Sequence, residues 1–257
     1  MTTKPSPFIW YELVTNDAEA AIRFYGAVVG WIARDSGTPG VDYHLLSIGD
    51  ATVGGIMTIR PEAAAKGMRP IWLGYLGVAD VDVAVAAAVA AGGTVHMAAT
   101  DFPEIGRIAM ITDPQGAAFY VMAPIGVGPS PSYAMGRPGH GGWHELHTSD
   151  WQAALGFYTA HFGWSQSDAL DMGPMGTYLL FNTGGDAIGG MMNDPQFPRP
   201  AWLYYFNVAD IDAARARLEA AGGTLLREPH EVPGGAWILH GRDPQGAMFA
   251  LVGPKTI

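Results

Sequence analysis

FIWYELVTNDAEAAIRFYGAVVGW, from Phe8 to Trp31, decides the reading of this chain, because GGWHELHTSDWQAALGFYTAHFGW, from Gly141 to Trp164, repeats it. Trp10 matches Trp143, Glu12 matches Glu145, Asp17 matches Asp150, and Gly30-Trp31 matches Gly163-Trp164. The correspondence continues in order. Gly54-Gly55 matches Gly189-Gly190, Pro70-Ile71-Trp72-Leu73 matches Pro200-Ala201-Trp202-Leu203, and Val78-Ala79-Asp80 matches Val208-Ala209-Asp210. Asp113-Pro114-Gln115-Gly116-Ala117 matches Asp243-Pro244-Gln245-Gly246-Ala247. Matches this long and this ordered mark an internal duplication. The stretch PIGVGPSPSYAMGRPGH, Pro124 to His140, is rich in Pro, Gly and Ser and reads as a linker. The expected domains are therefore 1–124 and 141–257, joined through 125–140.

Each half reads as the same element order, used twice. Residues 8–14 alternate and favour a strand. Thr15-Asn16-Asp17 offers N-cap chemistry, and Ala20, Ala21, Phe24, Tyr25 and Val28 then recur at helical spacing. Gly30 ends that helix. Three short strands follow, around 31–34, 43–48 and 52–59. After Pro70 the order restarts: a strand over 71–78, a helix over 81–91 closed by Gly92-Gly93, then strands near 94–98, 105–112 and 117–122. Asp113-Pro114-Gln115-Gly116 is the tight turn before the last strand. The expectation is an α+β protein of four βαβββ modules, forming two tandem cupped-sheet domains.

Composition narrows the function. The 257 residues are 49% hydrophobic and 15% charged, which suits a well-buried core. With 14 Lys and Arg against 24 Asp and Glu, the formal charge is −10. That balance disfavours a nucleic-acid partner. The chain has no cysteine, so disulfides, thiolate catalysis and cysteine–zinc sites are excluded. No apolar run is long enough for a bilayer, and MTTKPSPF lacks a signal core, so a cytoplasmic monomer or homodimer is expected. No Gly-x-Ser-x-Gly elbow or Walker loop is present.

The strand opening each half, the Asp, Phe-Tyr and Gly-Trp signals of its first helix, and the Asp-Pro-Gln-Gly turn resemble the vicinal oxygen chelate superfamily. That superfamily includes glyoxalase I, bleomycin-resistance proteins, fosfomycin-resistance transferases and extradiol dioxygenases. The resemblance covers nearly the whole chain and is nearest to two-repeat bacterial glyoxalase-like proteins. It implies cupped sheets that hold a divalent metal through His, Gln and Glu of the first and last strands. Counted from the motifs, those positions fall on Trp10, Trp143, Tyr120, Ala250, Leu73, Leu203, and near Ile56-Met57 and Met191-Met192. None is an imidazole or carboxylate. The usual metal-dependent chemistry is therefore not expected, and no cofactor is assigned.

Strand parity supplies the alternative. Trp10, Glu12 and Val14 share one face, as do Trp143, Glu145 and His147. A carboxylate in an apolar cup has its ionised form disfavoured unless it finds a partner. Glu12 and Glu145 are the candidate general bases, although a purely structural salt bridge or hydrogen bond to a strand neighbour explains each more readily. Trp10, Tyr75 and Tyr120 are expected to line the first cup, and Trp143, His147 and Tyr205 the second. Aromatic walls with one acid suit a flat or cationic small molecule. Trp72 and Trp202 have the opposite parity and should pack under helices. Arg107, where the second half has Trp237, could bind a carboxylate or phosphate if it faces a cup. A divergent metal site at Glu145, His147 and His240 is the weaker reading. The functional expectation is a protein of the glyoxalase type, a lyase or isomerase, that binds or acts on a small organic metabolite. A resistance-type sequestering protein and a metal-dependent lyase or dioxygenase are its rivals.

Overall fold

The computed structural model describes residues 4–256 except 39, 127 and 198. The outer domain limits at Met1 and Ile257, and Val127 of the expected linker, lie outside the described residues. The fold is α+β, built from four βαβββ modules. The first comprises β1 (Phe8–Thr15), α1 (Ala18–Val28), β2 (Ile32–Asp35), β3 (Tyr43–Ile48) and β4 (Ala51–Thr58). A short helix α2 (Pro61–Ala65) leads to the second: β5 (Ile71–Gly77), α3 (Val81–Ala90), β6 (Thr94–Phe102), β7 (Gly106–Thr112) and β8 (Ala118–Pro124). The third holds β9 (Gly141–Thr148), α4 (Trp151–Phe162), β10 (Ser165–Asp171), β11 (Thr177–Asn182) and β12 (Ala187–Asn193). The fourth holds β13 (Ala201–Asn207), α5 (Ile211–Ala220), β14 (Thr224–Glu231), β15 (Trp237–Arg242) and β16 (Met248–Gly253). The sequence reading missed α2, which has no apolar periodicity and starts on a Pro at its first position. It also ended β6 several residues early.

Within each module the first strand runs parallel to the last, and the rest form an antiparallel meander. In the first module Glu12 pairs with Gly55, and in the third Glu145 pairs with Gly190. All four long helices begin alike. Asp17, Asp80, Asp150 and Asp210 are the N-caps, each accepting from the backbone N–H three residues on. Four identical caps explain why the helix starts were legible in the sequence.

The chain forms two compact units, and each gathers modules from both halves. One contains Gly74–Pro129 and His144–Leu203, with the N-terminal residues up to Ile9. The other contains Trp10–Leu73, Ser130–Trp143 and the residues from Tyr204 onward. Both cores are organised by one tyrosine from the first helix of each repeat. In the first unit the Tyr158 hydroxyl donates to Asp113 at 3.2 Å and accepts from the Trp202 indole at 3.1 Å. Trp164 stacks on Tyr158 at 4.6 Å and on Phe181 at 4.5 Å. In the second unit the Tyr25 hydroxyl donates to Asp243 at 3.1 Å and accepts from Trp72 at 2.8 Å. Trp72 and Trp202 thus lie on the helix side, as their parity requires.

The same arrangement gives the Asp-Pro-Gln-Gly turns a second task. Asp113 closes its turn by accepting from the backbone N–H of Gln115 and Ala117 through one oxygen, leaving the other for Tyr158. Asp243 does likewise toward Tyr25. Burial pushes both carboxyls above their ordinary range, against these hydrogen bonds. Gln115 reaches further: its carbonyl oxygen accepts from the backbone N–H of Ser149 and Asp150 and from the Thr148 hydroxyl. It therefore anchors the junction between β9 and α4. Among the described residues, no helix is long and apolar enough to cross a membrane.

Candidate functional site

A connected polar group on a strand face lies in the third module. β9 is a strand because Trp143, Glu145 and His147 alternate with the fully or nearly buried His144 and Leu146. Glu145 is 7% exposed and His147 5%. His147 Nε2 lies 2.8 Å from Glu145 Oε1, and its Nδ1 lies 2.9 Å from Asp194 Oδ2. Asp194 follows β12 and is itself fixed by accepting from the N–H groups of Gln196 and Phe197. That turn lays the Phe197 ring on the imidazole, with centroids 4.1 Å apart and planes within 8°. The Tyr178 hydroxyl, from β11, donates to Glu145 Oε2 at 2.8 Å.

Burial works against a charge on His147, but the carboxylates on either side outweigh it and raise the ring's basicity above that of ordinary imidazole. His144 provides the contrast. It points to the other face, stacks on Phe8 at 4.0 Å, and its Nδ1 meets only the Ile188 carbonyl, at 2.7 Å. Burial lowers its pKa to about 3, so it is neutral at pH 7. Two histidines three residues apart therefore have opposite electrostatic fates, set by which face each occupies.

The first module has a related arrangement. Glu12 is 3% exposed on β1. The Trp10 indole donates to the Tyr43 hydroxyl at 2.9 Å. Tyr43 and Tyr178 occupy equivalent places, since each pairs with the methionine two residues beyond the paired glycine, Met57 and Met192. A Cβ at Gly55 would overlap the Tyr43 ring, and one at Gly190 the Tyr178 ring. Both repeats thus set a glutamate beside a glycine that a tyrosine ring covers. Sequence reasoning missed both tyrosines. The signal was present: each precedes its Gly-Gly pair by the same interval, so the duplication retained them together.

The remaining expected residues fall as follows. Tyr75 and Tyr120 are neighbours on parallel strands, stacked at 4.3 Å and nearly buried. Tyr205 is 1% exposed, and its hydroxyl lies 2.8 Å from His240 Nε2; the two flank the small Ala250 on the middle strand. Trp143 shares the strand face of Glu145 and His147. Arg107 already has partners of its own. Its register on β7 pairs it with Ala123 of β8, and its guanidinium is taken by Asp82 of α3, at 2.8 and 2.9 Å, and by Asp101 at 3.0 Å. Two carboxylates thus hold this guanidinium, one from α3 and one from β6. Asp194 and Phe197 were also missed, because they lie in a loop without periodicity and do not repeat in the first half.

The donor set at the metal positions implied by the resemblance does not suit a divalent cation. Trp10 spends its N–H as a donor, Tyr120 is stacked, Leu73 and Leu203 are buried, and Ala250 has no donor atom. His240 Nε2 already faces the Tyr205 hydroxyl at 2.8 Å. The two ring nitrogens of His147 point to different carboxylates, so one ion cannot take ring and both acids together. Among the described residues, no group of three or more His, Asp or Glu side chains forms a metal-holding cluster.

The comparisons bear on the whole chain. A mycobacterial protein provisionally named glyoxylase CFP32, from Mycobacterium tuberculosis (strain CDC 1551 / Oshkosh), is 35% identical, over 95% of this chain and 94% of its own. The anthracycline biosynthesis protein DnrV of Streptomyces peucetius is 32% identical, over 96% of this chain and 93% of its own. Among solved structures, the Mn(II)-bound glyoxalase from Novosphingobium aromaticivorans matches with a TM-score of 0.69 at 18% identity, covering 99% of this chain and 84% of that one. The 2,3-dioxygenase LapB from Pseudomonas sp. KL28 matches with a TM-score of 0.67 at 14% identity, covering 100% and 94%. These two share the fold. The family model described as Glyoxalase/Bleomycin resistance protein/Dioxygenase superfamily matches residues 8–121 and again 141–251, and the chain belongs to that superfamily.

Proposed function

We propose that this protein binds a small organic molecule on aromatic-lined strand faces and exchanges a proton with it through a buried glutamate, without a metal at the superfamily's usual positions. Glu145 is the first candidate and Glu12 the second. The observation that carries the reading is Glu145 itself. It is a nearly buried carboxylate held by a tyrosine hydroxyl and an imidazole, on a strand face that also carries Trp143. Such a group can take a proton from an acidic C–H or O–H, or return one to an oxygen. Trp10, Tyr43, Tyr75, Tyr120 and Tyr205 supply flat surface and hydroxyls for an aromatic or carbonyl-bearing ligand.

The relatives support a small-molecule role, since one is named a glyoxylase and another an anthracycline biosynthesis protein. The reaction class that fits both proton exchange and the superfamily is a lyase or isomerase acting beside a carbonyl. The composition, with its net charge of −10, supports a protein without a nucleic-acid partner, and we place it in the cytoplasm.

Fluorescence quenching by a panel of hydroxyquinones and α-ketoaldehydes, followed by product analysis, tests the reading. Glu145→Gln is expected to bind with little change while slowing turnover at least 100-fold. Glu12→Gln assigns the role to the first repeat if it alone does so. Unchanged turnover in both variants would remove the general-base role. Saturable quenching with no product would make the protein a sequestering one.

A further inference from the structure

The two repeats differ in a way that marks one of them for proton chemistry. On β9 the residue after next from Glu145 is His147; on β1 the residue after next from Glu12 is Val14. His147 pairs with Met192, and Val14 with Met57, so the positions are equivalent in space. Beyond β12 the Asp194 N–H bonds the Thr148 carbonyl at 3.0 Å. Beyond β4 the Ile59 N–H bonds the Thr15 carbonyl at 2.7 Å. Asp194 and Ile59 are therefore equivalent too. One repeat carries Val and Ile where the other carries His and Asp, and the His and Asp touch. The fold does not need the polar pair, because the first repeat packs the same place with hydrocarbon.

We infer that His147 and Asp194 are positioning residues that hold a proton in store for Glu145, and that the second repeat is where the bound molecule exchanges it. The ligand class follows: a flat aromatic molecule bearing an ionisable phenol or enol, bound as its anion and protonated on the site. This deepens the reading of Glu145 given above and rests on it. In the step, the His147 Nε2 proton passes to Glu145 Oε1, and the Glu145 carboxyl passes a proton to the ligand's oxygen. The ligand anion becomes neutral, and the imidazolium becomes neutral imidazole that still donates Nδ1–H to Asp194. One proton moves, no electrons are exchanged, and release with rebinding of a proton from solvent restores the site. The groups facing His147 are Glu145 from its own strand, Asp194 and the Phe197 ring from the loop after β12, with Tyr178 of β11 acting through Glu145. Phe197 covers the ring and slows exchange with water.

The test uses the full chain and alizarin, 1,2-dihydroxyanthraquinone, whose colour reports ionisation. The decisive variant is the double replacement His147→Val with Asp194→Ile, which copies the first repeat and so keeps a packing the fold already uses. Calorimetry in buffers of different ionisation enthalpy is expected to show almost no proton exchanged with solvent as the wild type binds the alizarin anion, while the bound dye takes its neutral colour, the proton having come from His147. The double variant, which has no stored proton to give, is expected to bind the dye in its ionised colour. Histidine-labelled NMR gives a reading independent of ligand: His147 should titrate above an ordinary imidazole, and Asp194→Asn should bring its titration down. A His147 ring that titrates at or below the ordinary value overturns the proton store. The same colour of bound dye in both proteins overturns the link to the ligand. Failure of the wild type to bind alizarin overturns the ligand class and, if the whole panel also fails, the reading of the site, while the ring titration still decides the proton store.

Discussion

Single residues in this protein take their chemistry from which side of a strand they occupy. His144 is sealed among apolar groups and stays neutral, with a pKa lowered by burial to about 3. As pH falls from about 6.5, the unfolded chain binds that proton before the folded one does, so His144 makes stability decline toward pH 3 by up to about 1.4 kcal/mol per unit. His144→Phe keeps the stack on Phe8 and removes the titration. Urea unfolding at pH 7 and pH 4.5 should show a smaller acid loss in the variant, and equal losses would refute the assignment. The glycines beside the glutamates are tied as tightly to their neighbours. A Cβ at Gly190 meets the Tyr178 ring. Gly190→Ala should cost about 1–3 kcal/mol by overpacking and release Glu145 from Tyr178. Unaltered stability and ligand affinity would show that the ring moves freely.

At the scale of elements, the decisive parts are those where two modules meet inside one compact unit. Tyr25 of α1 satisfies Trp72 of β5 and Asp243, which precedes β16; Tyr158 of α4 satisfies Trp202 of β13 and Asp113, which precedes β8. Tyr25→Phe and Tyr158→Phe each leave an indole N–H and a carboxylate oxygen without that partner. Each is expected to lower stability by roughly 1–3 kcal/mol per orphaned group, with the fold retained, as read by urea midpoints. A change below about 0.5 kcal/mol would mean water replaces the hydroxyl. The sequence showed these residues as repeated letters, Phe-Tyr and Asp-Pro, but not their partnership, because the contacts join residues more than 200 positions apart in one case. The four long helices were legible because each opens on an aspartate cap. Helix α2 and the Asp194–Phe197 turn were not, since neither carries a period or repeats.

For the molecule as a whole, duplication was the strongest sequence signal, and it yielded the module order, the family and the face on which Glu12 and Glu145 lie. It could not show that the compact units draw on both halves, because a repeat says what is alike and not what packs with what. Parity placed Trp72 and Trp202 correctly and left Arg107 open; two acids, one on a helix and one on a strand, then decided its side. Differences between the repeats, rather than their agreement, carry the functional argument, with Val14 and Ile59 in one and His147 and Asp194 in the other. The account as a whole holds that a proton-exchanging carboxylate works here without a metal at the positions where the superfamily's pattern implies one. Elemental analysis of untagged protein, dialysed and then offered Mn, Fe, Ni and Zn, tests this most directly. The account predicts no metal above background and proton exchange with ligand undiminished by a chelator. One tightly held equivalent per chain, lost in Glu145→Ala or His147→Ala, would contradict it and make the protein a metal enzyme with a ligand set of its own.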